Sequence, residues 1–166
     1  MYTCRDPLNF CDGLDQAGFD RLRYVEVKHG RIAMLAVMGH ITTTMGVRLP
    51  GDFEAGVPYA SIKTGIAGLS DIPTSGFVQI LGTIGVLECF VMKDKGSGEF
   101  PGDLRNGMIE WKGTDEELTT KRAVELNNGR AAQMGILGLM VHEQLSGEPY
   151  VINALFGYPS GFNAGL

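Results

Sequence analysis

Apolar and polar positions along the chain separate into three apolar blocks joined by segments rich in Gly and Pro. The first block runs from Ile32 to Val47 (IAMLAVMGHITTTMGV) and follows a charged stretch from Arg21 to Arg31. Together they predict one long helix over residues 18–46, with its stop at Pro50-Gly51. The second block, Phe77 to Met92 (FVQILGTIGVLECFVM), is the most apolar. Pro73-Thr74-Ser75-Gly76 precedes it and Lys93-Asp94-Lys95-Gly96 follows, which predicts a helix over 76–93. A third helix is predicted over 115–145, opening at Thr114-Asp115-Glu116-Glu117, a cap with acids in the first turn, and ending before Ser146-Gly147. A bilayer span takes about 20 mostly apolar residues, and each block reaches that length only with its polar flank. The pattern gives an all-α chain and leaves the solvent of its helices open.

An internal repeat narrows the choice. Laying the first helix on the third with a constant offset of 125 − 26 = 99 matches Arg23, Val25, Glu26, Gly30, Arg31, Ala33 and Gly39 to Arg122, Val124, Glu125, Gly129, Arg130, Ala132 and Gly138. Two copies of one helix predict a pseudo-twofold pair that crosses where the glycines let the backbones approach, at Gly30, Gly129, Gly39 and Gly138. Glu26 and Arg31 stand five residues apart, roughly 140° around one helix, and are badly placed to pair with each other. Pairing across the helices, Glu26 with Arg130 and Glu125 with Arg31, satisfies all four charges. An unpaired charge at membrane depth costs about 2.5–3.5 kcal/mol on insertion scales. A soluble helical hairpin with solvated Glu/Arg faces is the alternative for one isolated E-x-x-x-x-R. Its repetition beside apolar segments favours the membrane.

A carboxylate neutralised by Arg keeps one oxygen able to ligate a hard ion such as magnesium, which makes Glu26 and Glu125 candidate ligands. His29 and Asn128 each lie three residues after those acids, and imidazole nitrogen and amide oxygen are both reasonable axial donors. His40 returns to within about 20° of the face of His29, roughly 16 Å further along. His142 lies about 40° from Asn128 and about 21 Å along. In the middle block Gln79 and Glu88 are the strongly polar side chains, and an intramembrane Glu marks a functional site by default. Gln79 can equally serve a helix-to-helix hydrogen bond. Met34, Met38, Met45, Met134 and Met140 are packing residues on this reading, since thioethers suit soft metals and fill irregular gaps.

Composition excludes several classes. The 166 residues suffice for one domain, 44% are hydrophobic and the net charge is −5, with no basic stripe for nucleic acid. Mean hydropathy is only +0.04, because charged flanks dilute the apolar blocks. Cys4, Cys11 and Cys89 lack C-x-x-C spacing and read as ordinary buried or terminal thiols rather than a disulfide framework or zinc site. The opening MYTCRDPLNF shows no basic start followed by an apolar run, so no signal or transit peptide is visible in it. Walker, zincin and nucleophile-elbow motifs are missing, and catalysis is not expected.

The strings FDRLRYVEVKHGRIAMLAVM (Phe19 to Met38) and KRAVELNNGRAAQMGILGLMVH (Lys121 to His142) closely resemble the fucoxanthin chlorophyll a/c proteins of diatoms, within the chlorophyll-binding light-harvesting superfamily. Gly46-Val47-Arg48-Leu49-Pro50-Gly51-Asp52, Val91-Met92-Lys93-Asp94, Gly98-Glu99-Phe100, Gly102-Asp103 and Val141-His142-Glu143-Gln144 extend the likeness over most of the chain. The twin E-x-x-[HN]-x-R motif carries the superfamily; the loop strings carry the branch. The resemblance implies an all-α membrane protein of one domain, residues 1–166, with three transmembrane helices, the first and third crossed. Chlorophyll magnesium would be bound by Glu26, His29, Glu125 and Asn128, with His40, Gln79, Glu88 and His142 as further ligands. Implied cofactors are chlorophyll a, chlorophyll c and fucoxanthin, with diadinoxanthin as a further carotenoid. Carotenoids would lie in the grooves of the crossed helices, near Asp6-Pro7-Leu8 and Gly102-Asp103-Leu104. Asn9 departs from the family's D-P-L-G, and Ser146 to Leu166 is too irregular for a fourth span.

The implied role is a light-harvesting antenna of the chloroplast thylakoid. Its partners would be pigments, membrane lipids, other antenna proteins in a homo- or hetero-oligomer, and a photosystem core. A quenching member of the superfamily is the near alternative. A small membrane transporter is the distant one, since repeats and buried charges also mark ion paths.

Overall fold

Three helices dominate the described residues of the computed structural model: α1 (Gln16–Thr44), α2 (Thr74–Val86) and α3 (Asp115–Ser146). The structure describes residues 13–54, 56–94, 98, 100–105, 112–146 and 150. Asp6-Pro7-Leu8, Asn9, Cys4, Cys11, Glu99 and the chain beyond Tyr150 lie outside them.

Local chemistry accounts for each helix end. Asp15 caps α1, its carboxylate accepting from the Gly18 N–H at 2.8 Å. The helix stops at Thr44, before Pro50-Gly51, because Gly46 takes the left-handed conformation (φ 84°). The N–H groups of Gly46 and Val47 then bond the Thr43 and Thr42 carbonyls at 3.1 and 3.2 Å, satisfying the last turn. At the start of α3, Glu117 N–H donates to Thr114 Oγ1 at 3.4 Å and Thr114 N–H to the Glu117 carboxylate at 3.2 Å, a reciprocal capping box.

Helix α2 begins two residues before the expected boundary, at Thr74 directly after Pro73. Past Val86 it widens into a π-helical turn, Leu87–Val91, in which Met92 N–H reaches back to the Leu87 carbonyl at 2.7 Å. The segment between α1 and α2, expected as loop, is more ordered. A short antiparallel hairpin, β1 (Asp52–Glu54) and β2 (Val57–Pro58), carries Phe53, whose ring occupies the space where Gly76 would otherwise bear a Cβ. Two 3-10 helices follow, Tyr59–Ser61 and Gly65–Ser70.

Helices α1 and α3 meet at Gly30 and Gly129. A Cβ on either glycine would stand 3.0 Å from the other's Cα, so only hydrogen fits at the contact. Gly39 and Gly138, expected at the same close approach, have open space around them. Nine residues past Gly30 is about 13.5 Å along the axis, by which point two crossing helices have separated.

Few apolar side chains among the described residues are fully buried. Among the described residues Ala33 is the one buried apolar side chain, at 7% exposure. On α2 and its π turn Val78, Leu81, Ile84 and Phe90 are 62%, 53%, 50% and 76% exposed. By length and apolarity, one helical stretch among the described residues qualifies to cross a membrane: Thr74–Val91, 18 residues with mean hydropathy 1.5. In α1 and α3 the charged layers from Glu26 to Arg31 and from Glu125 to Arg130 interrupt the apolar run.

Candidate functional site

Beside the Gly30–Gly129 contact stand two ion pairs of matching geometry. Arg31 Nε donates to Glu125 Oε1 at 2.6 Å, and Arg130 Nε donates to Glu26 Oε1 at 2.6 Å. The offset of the repeat and the close glycine contact put each acid opposite the other copy's guanidinium. The two acids differ in what remains. Glu26 Oε2 accepts from Arg23 at 2.8 Å, one turn earlier on the same helix. Glu125 Oε2 has no hydrogen-bond partner among the described residues. Arg122, which the repeat aligns with Arg23, instead has its guanidinium 4.1 Å from the centre of the Phe100 ring.

The other donor groups are presented along the helices. His29 Nδ1 lies 2.8 Å from the Val25 carbonyl, which can only accept. Nδ1 therefore donates, and the neutral tautomer that does so has its Nε2 lone pair on an exposed ring. Asn128 on α3 and Gln79 on α2 are exposed, with side chains that bond no described residue. His142 is exposed near the end of α3. His40 is arranged differently: Nδ1 is 3.1 Å from the Tyr150 hydroxyl, the rings meet edge to face, and Nε2 is covered without a hydrogen-bond partner.

A loop closes one end of the crossing. Arg31 donates a second bond, from Nη1 to the Gly102 carbonyl at 2.7 Å, so one guanidinium joins α1, α3 and the loop before α3. Gly102 has φ 92° and its Cα faces Val27, where a Cβ would come within 3.2 Å of a methyl. Asp103 is 6% exposed and chelates Arg105 Nε and Nη2, each at 2.8 Å. Between this loop, the π turn and α3 lies a cavity of about 630 Å³, lined by Val91, Met92, Phe100, Leu104, Leu118 and Glu125. Its size and apolar walls with a few charged groups suit a ligand.

Two contacts and one exposed thiol were not foreseen from the sequence. Lys28 forms an ion pair with Glu88 of the π turn. Glu143 of α3 accepts from Ile66 and Ala67 N–H at 3.1 and 3.2 Å, holding the first turn of the 3-10 helix Gly65–Ser70. Cys89 on the π turn, expected to be buried or terminal, is an exposed free thiol. A signal for the first contact was available: position 28 carries Lys where its repeat mate, 127, carries Asn.

Residues 2–144 match the family model described as chlorophyll A-B binding protein. The chain is 58% identical over 144 residues to fucoxanthin-chlorophyll a-c binding protein F, chloroplastic, of Phaeodactylum tricornutum, covering 84% of this chain and 73% of the relative. It is 53% identical over 165 residues to protein D of the same description from Macrocystis pyrifera, covering 95% of this chain and 90% of the relative. Protein E from Phaeodactylum tricornutum is 56% identical over 144 residues, with coverage of 84% and 73%. With an Arg-neutralised glutamate on each of two helices joined glycine to glycine, and relatives at this identity over most of their length, the chain belongs to the chlorophyll A-B binding protein family.

Proposed function

We propose that the chain is a light-harvesting antenna of the fucoxanthin-chlorophyll type, a multi-pass protein of the chloroplast thylakoid that catalyses no reaction. The observation that carries this reading is the pair of Arg-neutralised glutamates flanking the Gly30–Gly129 contact, with further donor groups displayed around them. Carboxylate, imidazole and amide are hard or borderline donors that suit magnesium. Glu125 fits a chlorophyll well, with one oxygen neutralised by Arg31 and a cavity beside it. His29 offers Nε2, and Asn128, Gln79 and Glu88 each offer an oxygen. Glu26 ligates once Arg23 turns aside; His40 does so once Nε2 is uncovered. His142 completes the set.

The exposed apolar surface supports a lipid and pigment surround. A water-soluble chain of this length buries about two thirds of its unfolded surface, whereas Ala33 is the buried apolar side chain among the described residues. In our reading α1, α2 with its π turn, and α3 all cross the bilayer as one domain, α1 and α3 related by a pseudo-twofold. Pairing of Glu26 with Arg130 and Glu125 with Arg31 offsets the cost of their charges there. At 1.5 Å per residue α1 spans about 44 Å, longer than the roughly 30 Å hydrocarbon layer, so its charged first turns reach the interface.

Bound chlorophyll a, chlorophyll c and fucoxanthin supply the absorption and the excited states. The residues of the chain fix where the pigments sit: ion pairs and the glycine contact hold α1 and α3 together, and Arg31 ties α1 to the carbonyl of Gly102 in the loop that Asp103 and Arg105 brace. Association with other antenna proteins and delivery of energy to a photosystem core complete the proposal. Fluorescence excitation of the purified pigment complex tests it. Fucoxanthin and chlorophyll c bands in the excitation spectrum of chlorophyll a emission support it; their absence from that spectrum overturns it.

A further inference from the structure

The two copies of the repeat differ at one position with a structural consequence. Lys28 stands two residues after Glu26, about 160° away around α1, so the helix turns one charged face to α3 and another to α2. Its mate in α3 is Asn127, which is exposed and whose side chain bonds no described residue. Lys28 Nζ meets Glu88 Oε2 on the π turn of α2, and also lies 5.9 Å from the centre of the Tyr24 ring. Glu88 is half-buried in a stretch whose neighbours are exposed and apolar. Its Oε1 has no hydrogen-bond partner among the described residues.

This arrangement repeats the logic of Glu125 and Arg31 with different residues. One carboxylate oxygen is tied to a cation from another helix, and the second is left open. Where α1 and α3 pair with each other, a guanidinium serves; where α2 docks on one side, the symmetry is broken and an ammonium does so. The π turn belongs to the same device, because an extra residue in the turn shifts the radial position of Glu88 relative to the straight part of α2.

We propose that Lys28 is a positioning residue for a third carboxylate pigment site: it neutralises and orients Glu88, leaving Oε1 to ligate the magnesium of a chlorophyll, and in doing so ties α2 to α1. The proposal rests on the chlorophyll-binding reading above and goes beyond it in assigning the counter-cation. Without a cation, Glu88 would hold a bare charge among apolar groups, which is costly, and its carboxylate would lose the bond that orients it.

The full chain folded with chlorophyll a, chlorophyll c and fucoxanthin provides the test, read as chlorophylls per chain after purification and as the melting temperature of the complex. Glu88→Ala is expected to lose one chlorophyll, and Lys28→Met the same one, judged by the same missing band in the difference absorption spectrum. Lys28→Arg keeps it. The double variant Lys28→Met with Glu88→Gln regains the chlorophyll, because a neutral amide oxygen needs no counter-cation. Full pigment content in Glu88→Ala or in Lys28→Met overturns the proposal. So does a double variant as depleted or as poorly folded as Lys28→Met, since Lys28 would then act through packing. A wild-type chain that takes up no chlorophyll defeats the functional reading itself, a result separate from any of these.

Discussion

Gly30 and Gly129 touch backbone to backbone, each leaving 3.0 Å between the other's Cα and the place where a Cβ would stand. Neither main chain can yield locally, so Gly30→Val must push α1 and α3 apart and lengthen both Glu/Arg pairs. The expected cost is about 1–3 kcal/mol from overpacking alone, seen as a lower melting temperature of the complex. Gly39→Ala meets open space and should melt close to the wild type. Equal effects at the two positions would contradict the assignment of the crossing point.

Much of this geometry was legible in the chain because the repeat supplies its own register. An offset of 99 places Glu26 against Arg130 and Glu125 against Arg31, and the structure has both pairs at 2.6 Å. The capping acids at Thr114 to Glu117 likewise announced the start of α3. Equivalence in sequence did not extend to equivalence in space for Gly39 and Gly138, since helices that cross at one point separate beyond it. Nor did the stop of α1 lie at the proline, because Gly46 entered the left-handed region first. Lys28–Glu88, Glu143 on the 3-10 helix, and the π turn were hidden for a different reason. Each depends on how unlike elements meet, and periodicity within one helix carries no information about that. Only the mismatch of Lys28 with Asn127 hinted at it.

Glu125 combines an ion pair with a candidate ligand, and the two roles separate in a double variant. Glu125→Ala strands Arg31 and should cost about 2.5–3.5 kcal/mol, the insertion penalty of a lone charge, together with one chlorophyll. Adding Arg31→Ala should restore much of the stability and none of the pigment. Melting of the complex and chlorophyll per chain check the two outcomes independently.

The carboxylate of Glu143 accepts two backbone N–H bonds from Ile66 and Ala67. Glu143→Ala leaves both donors unpaired and should weaken the attachment of Gly65–Ser70 by about 1–3 kcal/mol. Hydrogen exchange should then accelerate at Ile66 and Ala67 while the amides around Gly129 keep their protection. Unchanged exchange at the two loop amides would rule out the clamp.

A pH response is expected in the same segment. Asp71 accepts from the Lys63 backbone N–H at 3.1 Å and from the Lys63 ammonium at 3.3 Å, and these bonds, the backbone one first, hold its carboxyl below the ordinary value of 3.8. The folded state thus binds fewer protons than the unfolded one across that interval. Its contribution to stability is complete above pH 3.8 and is lost as the pH falls through the lowered folded value. The difference in melting temperature between wild type and Asp71→Asn should be constant above that point and shrink below it. A difference that grows on acidification would contradict the sign.

The central claim is that the donor groups around the Gly30–Gly129 crossing hold chlorophylls in a membrane antenna. An absorption spectrum of the detergent-solubilised native protein, followed by extraction and chromatography of its pigments, tests it most directly. Chlorophyll a, chlorophyll c and fucoxanthin migrating with the chain are the predicted result; a colourless, stably folded protein would contradict the account.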